Sequence, residues 1–164
     1  PLLLSSAASD VYKRQNLEEI IDELMFKKLG INLTYNPFLK YSTYNVAPTE
    51  IDEYFRYKEI NGYVHDMAAA MFGGISSHAG LFGNAINVAK VMQMYLQDGN
   101  YANQQILKSK TINLFNNCYY CGEDNRRGVG FDKPQLENEG PTCGCVSMNS
   151  FGHSGWMDRN ICMG

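Results

Sequence analysis

The sequence predicts an α+β chain, antiparallel strands with helices packed against them, and three observations predict it. Apolar residues recur at helical spacing in two stretches, 17–30 and 85–97. Arg126-Arg-Gly-Val-Gly-Phe-Asp132 alternates small and apolar residues as a strand does. Ser150-Phe-Gly-His-Ser-Gly-Trp156 is an extended run in which Gly152 and Gly155 let another backbone or a ligand come close to one imidazole and one hydroxyl.

Length and composition narrow the class. The 164 residues are 45% hydrophobic, 12% aromatic and 19% charged, the make-up of one globular domain. The net charge is −3 and no basic patch is visible, so nucleic acid is not expected as a partner. No apolar run reaches the roughly 18 residues of a membrane span. Residues 1–15 do not fit the rest. Pro1-Leu-Leu-Leu-Ser-Ser-Ala-Ala-Ser9 lacks the basic start of a signal peptide, and Asp10-Val-Tyr-Lys-Arg-Gln15 resembles the translation of a transposon end used in sequencing libraries. Read-through of an adapter in a metagenomic assembly is the expectation, which leaves 16–164 as the native part. Without Lys13, Arg14 and Asp10, 12 basic residues face 16 acidic ones, a net charge of −4.

In chain order, Leu17, Ile20, Ile21, Leu24 and Met25 define the apolar face of a first helix, with Glu18, Glu19, Asp22 and Glu23 between them and Gly30 as its C-terminal stop. Residues 31–62 read as irregular and Tyr-rich, broken by Pro37 and Pro48. His65-Asp66-Met-Ala-Ala-Ala70 starts a short helix, with a carboxylate suited to its positive end. Ala85, Val88, Ala89, Met92 and Leu96 give the core face of a second long helix, closed by Asp98-Gly99. Its methionines read as core packing. A further helix is expected over Ser109–Phe115, capped by Ser109. After the 126–132 strand and a polar connection, Phe151 starts a strand, and Asn160-Ile-Cys-Met163 begins the next, antiparallel one.

Five cysteines stand at 118, 121, 143, 145 and 162. One or two disulfides, stapling the loop before the strand at Phe151, are favoured over free thiols. A four-thiolate zinc site of Cys118, Cys121, Cys143 and Cys145 is the third alternative, disfavoured by the tight spacing of its second pair. No metal or cofactor is otherwise expected.

His153-Ser154-Gly155, together with Gly62-Tyr-Val-His-Asp66 and Gly73-Gly-Ile-Ser-Ser-His-Ala-Gly-Leu-Phe82, resembles the serine β-lactamase and penicillin-binding-protein superfamily. The branch it is most similar to is related to class C β-lactamases and holds D-Ala-D-Ala carboxypeptidases and esterases. The resemblance runs from about Asn16 to about Asn160. It implies a partial β-lactamase/transpeptidase-like fold, with the triplet on an edge strand that walls the cleft. It also implies acyl transfer through a serine ester on a peptidoglycan D-Ala peptide, a β-lactam, or another small ester or amide, in a periplasmic or exported protein. In that scheme His153 stands where relatives often carry lysine. Ser154 hydrogen-bonds a substrate carboxylate or carbonyl, Gly155 keeps the strand open, and the Trp156 backbone N–H faces the developing oxyanion. His65, Asp66 and His78 are implied as supports that hold a loop near the site. Ala47-Pro-Thr-Glu50 resembles a loop leading towards the cleft, and Ala79–Phe82 should pass under its floor.

The scheme needs a Ser-x-x-Lys nucleophile and a Tyr-x-Asn element. No Ser-x-x-Lys occurs in the chain, and Tyr101-Ala-Asn103 lies on the wrong side of the 62–82 block, in a polar turn. Relatives also follow the triplet with small residues, where this chain has Trp156-Met-Asp-Arg159. The expectation is the C-terminal part of a serine hydrolase domain, inactive alone. Two other readings stay open: a non-catalytic binding or regulatory module of the same fold, and an accessory domain of a cell-wall glycoside hydrolase. No localisation signal is expected in this stretch.

Overall fold

The computed structural model describes residues 16–42, 45–121, 125–134 and 146–154, with backbone alone at 154 and at 160–163. The chain forms two compact units, dividing between Ile106 and Leu107. The α+β expectation holds: short helices accompany two-stranded antiparallel ribbons.

The first unit opens with helix α1 (Leu17–Ile21), which runs through a π-helical turn (Asp22–Phe26) into α2 (Lys27–Leu29). Asn16 caps it, its side-chain oxygen accepting the Glu19 N–H at 2.9 Å. Gly30 ends it at φ 59°, a left-handed conformation that glycine adopts without a Cβ penalty. The face that turns inward departs from the expected one. Phe26 and Leu29 are fully buried, while Leu24 is 59% exposed.

Strand β1 (Thr34–Tyr35) pairs with β4 (Leu81–Phe82), Thr34 opposite Phe82. Glu18 ties β1 to α1. Its Oε1 accepts from the Thr34 hydroxyl at 2.6 Å, the Tyr35 N–H at 3.2 Å and the Lys40 ammonium at 2.7 Å. Burial raises the pKa of this carboxyl, but those partners outweigh it and hold the group below its ordinary value.

Residues 31–62 are more regular than expected. Pro48–Asp52 (β2) and Lys58–Asn61 (β3) form an antiparallel hairpin with a register shift near Pro48, at the strand start where a missing N–H is tolerated. Asp52 builds the turn. Its Oδ1 accepts the Tyr54 and Phe55 N–H groups at 3.0 and 2.8 Å, and its Oδ2 meets Arg56 Nε at 2.8 Å. Ala47-Pro-Thr-Glu50 is therefore strand rather than loop from Pro48 on.

Helix α3 (Met67–Met71) follows, then β4 and α4 (Ala85–Leu96), capped by Asn84. Here too the buried face differs from the expected one. Val88, Ala89 and Leu96 are exposed, and Met94 is the side chain that becomes fully buried. Asn87 and Lys90 lie on the same stripe as Met94 and donate to the carbonyls of Asn32 (3.2 Å) and Gly30 (2.9 Å). Polar anchoring sets the rotation of this helix, against its apolar periodicity. Met94 packs into the core, while Met92, on the expected face, is half-buried. Asn100–Tyr101 (β5) and Gln104–Gln105 (β6) form a tight hairpin through Ala102 and Asn103, both at positive φ. The Tyr-x-Asn string is thus a turn, as expected.

The second unit holds α5 (Ser109–Asn116) and the ribbon of β7 (Phe151–Ser154) with β8 (Asn160–Met163), His153 opposite Ile161. The capping position of α5 is Lys108, not Ser109, which is the first helical residue and whose Oγ accepts from Asn113 at 3.5 Å. Residues 126–132 fold back on themselves, Arg127 bridging Asp132, and Asp132 bridges Gly152.

Candidate functional site

Two groups of expected site residues lie in the structure, one in each unit. In the second unit, Asp132 and Gly152 exchange backbone hydrogen bonds of 2.7 and 3.1 Å. Gly152 also faces Cys162 of β8, so both edges of β7 are used there. Only beyond Gly152 does β7 lie at an edge among the described residues. Phe151 is buried, its ring 5.1 Å from that of Phe131 and 5.9 Å from the Lys133 ammonium. The buried Asp132 carboxylate sits 3.0 Å from Arg127 Nε and 3.6 Å from Arg126 Nη1. Burial lowers the pKa of Lys133, whose ammonium donates to Asn116 Oδ1 at 3.1 Å. A charged, hydrogen-bonded base thus fixes the strand at 151–152, and the next residue, His153, is exposed. For Ser154 the strand backbone is placed. Gly155 and Trp156 lie outside the described residues.

The first unit brings Asp66 and His78 together, with a third residue that sequence reasoning missed. Asp66 Oδ1 accepts the Ala69 N–H at 2.7 Å and lies 3.1 Å from His78 Nε2, while His78 Nδ1 lies 2.7 Å from Ser76 Oγ. The Ala69 N–H, opposed by burial and helped by His78, holds the Asp66 carboxyl below its ordinary value. A carboxylate can only accept, so the tautomer that fits both contacts carries its hydrogen on Nε2 towards Asp66 and accepts the Ser76 hydroxyl at Nδ1. Tyr35 completes the network, its hydroxyl donating to the Ser76 carbonyl at 3.1 Å. Burial first, and Glu18 second, raise the pKa of that phenol, so it stays a donor. Close backbone packing allows this fold of the 73–80 block. A Cβ on Gly80 would stand 2.3 Å from the Gly74 carbonyl oxygen. Ser76 stands two residues before His78 in the Gly73–Phe82 block, and nothing in that spacing singled it out.

Serine, histidine and aspartate in a chain of contacts invite a catalytic reading, and geometry argues against it. Ser76 is 3% exposed, so no substrate reaches its hydroxyl as it stands. The arrangement is a relay that ties the 73–80 block to the start of α3.

His65 separates from Asp66. Its Nε2 stands 3.2 Å from Glu50 Oε2, while its Nδ1 is buried without a hydrogen-bond partner among the described residues. Arg56, also unread in the sequence, fixes this stretch by donating to the carbonyls of Val64, at 2.6 Å, and His65. The adjacent His65-Asp66 pair is therefore not a unit; each side chain holds a different segment. Two clefts of about 460 and 320 Å³ in this unit are lined by other residues, Asn32, Thr34 and Tyr41 being common to both.

Cys118 and Cys121 form a disulfide. Two of the four cysteines in the four-thiolate alternative are bonded to each other in this structure. Cys143 and Cys145 lie outside the described residues, and among those described no cluster of His, Cys, Asp and Glu could hold a metal. No described helix is long and apolar enough to cross a membrane.

The relay makes a measurable prediction. Asp66→Ala removes a helix cap and should cost about 1 kcal/mol. His78→Ala leaves the buried Ser76 hydroxyl unpaired and should cost about 1–3 kcal/mol. Urea unfolding of both single variants and the double variant should give a coupling of about 0.5 kcal/mol or more; strict additivity would mean that the two do not interact. The pH dependence has a defined sign. Asp66 binds its proton more weakly folded than unfolded, so its contribution is present above the ordinary carboxylate pKa and is lost as pH falls through the depressed value. Asp66→Asn, which still caps, should flatten the stability slope below about pH 4.

No protein-family model and no solved structure matches the chain. Curated proteins do. A protein of Escherichia coli K12 named "Putative D-alanyl-D-alanine carboxypeptidase" is 32% identical over 156 residues, which is 87% of this chain and 36% of that protein. Proteins of the same name from Salmonella enteritidis PT4 and Salmonella typhi are 31% identical over 154 residues, 85% of this chain and 35% of theirs. The chain is thus similar, over most of its own length and about a third of theirs, to proteins named as putative D-alanyl-D-alanine carboxypeptidases.

Proposed function

We propose that this chain supplies one wall of the substrate cleft in a serine hydrolase of cell-wall peptides ending in D-alanyl-D-alanine, working outside the cytoplasmic membrane. The observation that carries the reading is the 32% identity over 156 residues to a protein named "Putative D-alanyl-D-alanine carboxypeptidase". The exposed His153, on a strand pinned by Asp132 one residue earlier, supports it. In this reading the Ser154 hydroxyl donates to the substrate's terminal carboxylate, and the Trp156 N–H faces the oxyanion formed when the scissile carbonyl is attacked. His153 contributes a hydrogen bond with less positive charge than a lysine would bring. The nucleophile and its lysine are carried by a Ser-x-x-Lys segment outside these 164 residues. His65, Asp66 and His78 hold backbone segments and touch no substrate.

The test uses a longer reading frame that contains a Ser-x-x-Lys. Release of D-alanine from a diacylated L-Lys-D-Ala-D-Ala peptide is the assay. Ser154→Ala should lower kcat/KM by roughly tenfold or more, as loss of a charge-assisted hydrogen bond does. His153→Lys should favour the carboxylate-bearing peptide over its amide. A longer protein that releases no D-alanine, or a Ser154→Ala variant with unchanged kcat/KM, sinks the reading.

A further inference from the structure

The Cys118–Cys121 disulfide joins residues only three apart, directly after α5. The stabilisation from a disulfide grows with the loop it closes, and this loop is near the shortest possible. The surrounding segment is held by other bonds. The Tyr119 hydroxyl donates to the Leu114 carbonyl at 3.0 Å, and the Val129 N–H donates to the Phe115 carbonyl at 2.7 Å. The bridge therefore adds little as a staple. It is also reachable, since Cys121 is exposed and Cys118 half-buried, with exposed Tyr119 and Tyr120 between them.

A third observation concerns the reduced state. Cys118 Sγ lies 3.4 Å from the Asn125 carbonyl oxygen. A disulfide sulfur has no hydrogen to give that oxygen, whereas a thiol at the same place does. The dithiol form thus finds a hydrogen-bond acceptor beside Cys118.

We propose that Cys118–Cys121 is a reversible thiol–disulfide site that exchanges with low-molecular-weight thiols. A thiolate attacks the exposed Cys121 sulfur, the Cys118–Cys121 bond breaks, and Cys118 leaves with the electron pair and takes up a proton. A second thiolate attacks the mixed disulfide, releasing Cys121, which is protonated in turn, and the oxidised small disulfide. The protein gains two electrons and two protons, and two small thiols become one disulfide.

Equilibration of the full chain in glutathione buffers, followed by acid quench, alkylation and peptide mass analysis, tests this. A parallel Cys143→Ser, Cys145→Ser, Cys162→Ser variant removes the other partners. The expected result is complete conversion of both cysteines to the dithiol in millimolar reduced glutathione and complete return on oxidation. The melting temperature should shift by less than about 2 °C between the two forms. Cys118→Ser should trap glutathione on Cys121. The proposal is overturned if the bridge stays oxidised throughout, if reduction unfolds the chain, or if Cys118 is found bonded to a cysteine other than Cys121.

Discussion

Incubated with chromogenic β-lactams, simple esters or D-Ala-D-Ala peptides, the 164-residue chain is expected to show turnover about a millionfold below that of a longer protein carrying Ser-x-x-Lys. Loss of the nucleophile alone has that order of effect in serine hydrolases, and what survives is background from oxyanion donors and binding. No serine here stands three residues before a lysine. Ser76, which has a histidine and an aspartate in line, is buried. The measurement discriminates sharply. Labelling by a fluorescent penicillin that Ser76→Ala abolishes would mean that the 73–80 block opens and that Ser76 is a nucleophile. Labelling that Ser154→Ala abolishes would place the nucleophile on the motif strand itself. Either result ends the reading of this chain as a cleft wall that borrows its nucleophile.

Much of the candidate site was legible in one dimension because its chemistry is local. Asp66 caps α3 from the position that a carboxylate before Met67-Ala-Ala-Ala predicts. His153 falls on the strand expected from Phe151 onward. What could not be read was pairing across distance. His65 and His78 looked equivalent, yet one faces Glu50 across a hairpin and the other faces Asp66 across twelve residues. The hairpin was hidden for a related reason. Its strands carry Glu50, Asp52, Lys58 and Glu59, so period-two alternation is weak, and its turn is built by the side chains of Asp52 and Arg56 rather than by glycine. Asp52 is buried at that turn, and Arg56 with the Phe55 N–H holds its carboxyl far below the ordinary range.

The first helix gives the sharpest stability prediction, because sequence and structure assign its buried face differently. Uniform α-helical spacing from Leu17 continues through Ile20, Ile21 and Leu24. The π-helical turn at Asp22–Phe26 inserts one extra residue and shifts every later position by one, so that Phe26 and Leu29 point inward and Leu24 outward. A one-residue slip leaves no mark in the pattern, since Leu24, Met25 and Phe26 are all apolar. Phe26→Ala should therefore destabilise the first unit by about 3–5 kcal/mol, the cost of emptying a filled aromatic site. Leu24→Ala should stay within about 0.5 kcal/mol, as exposed positions do. Urea unfolding of the two variants decides the register. Equal losses would place both side chains at the edge of the core, and a larger loss for Leu24→Ala would restore the regular helix and remove the bulge.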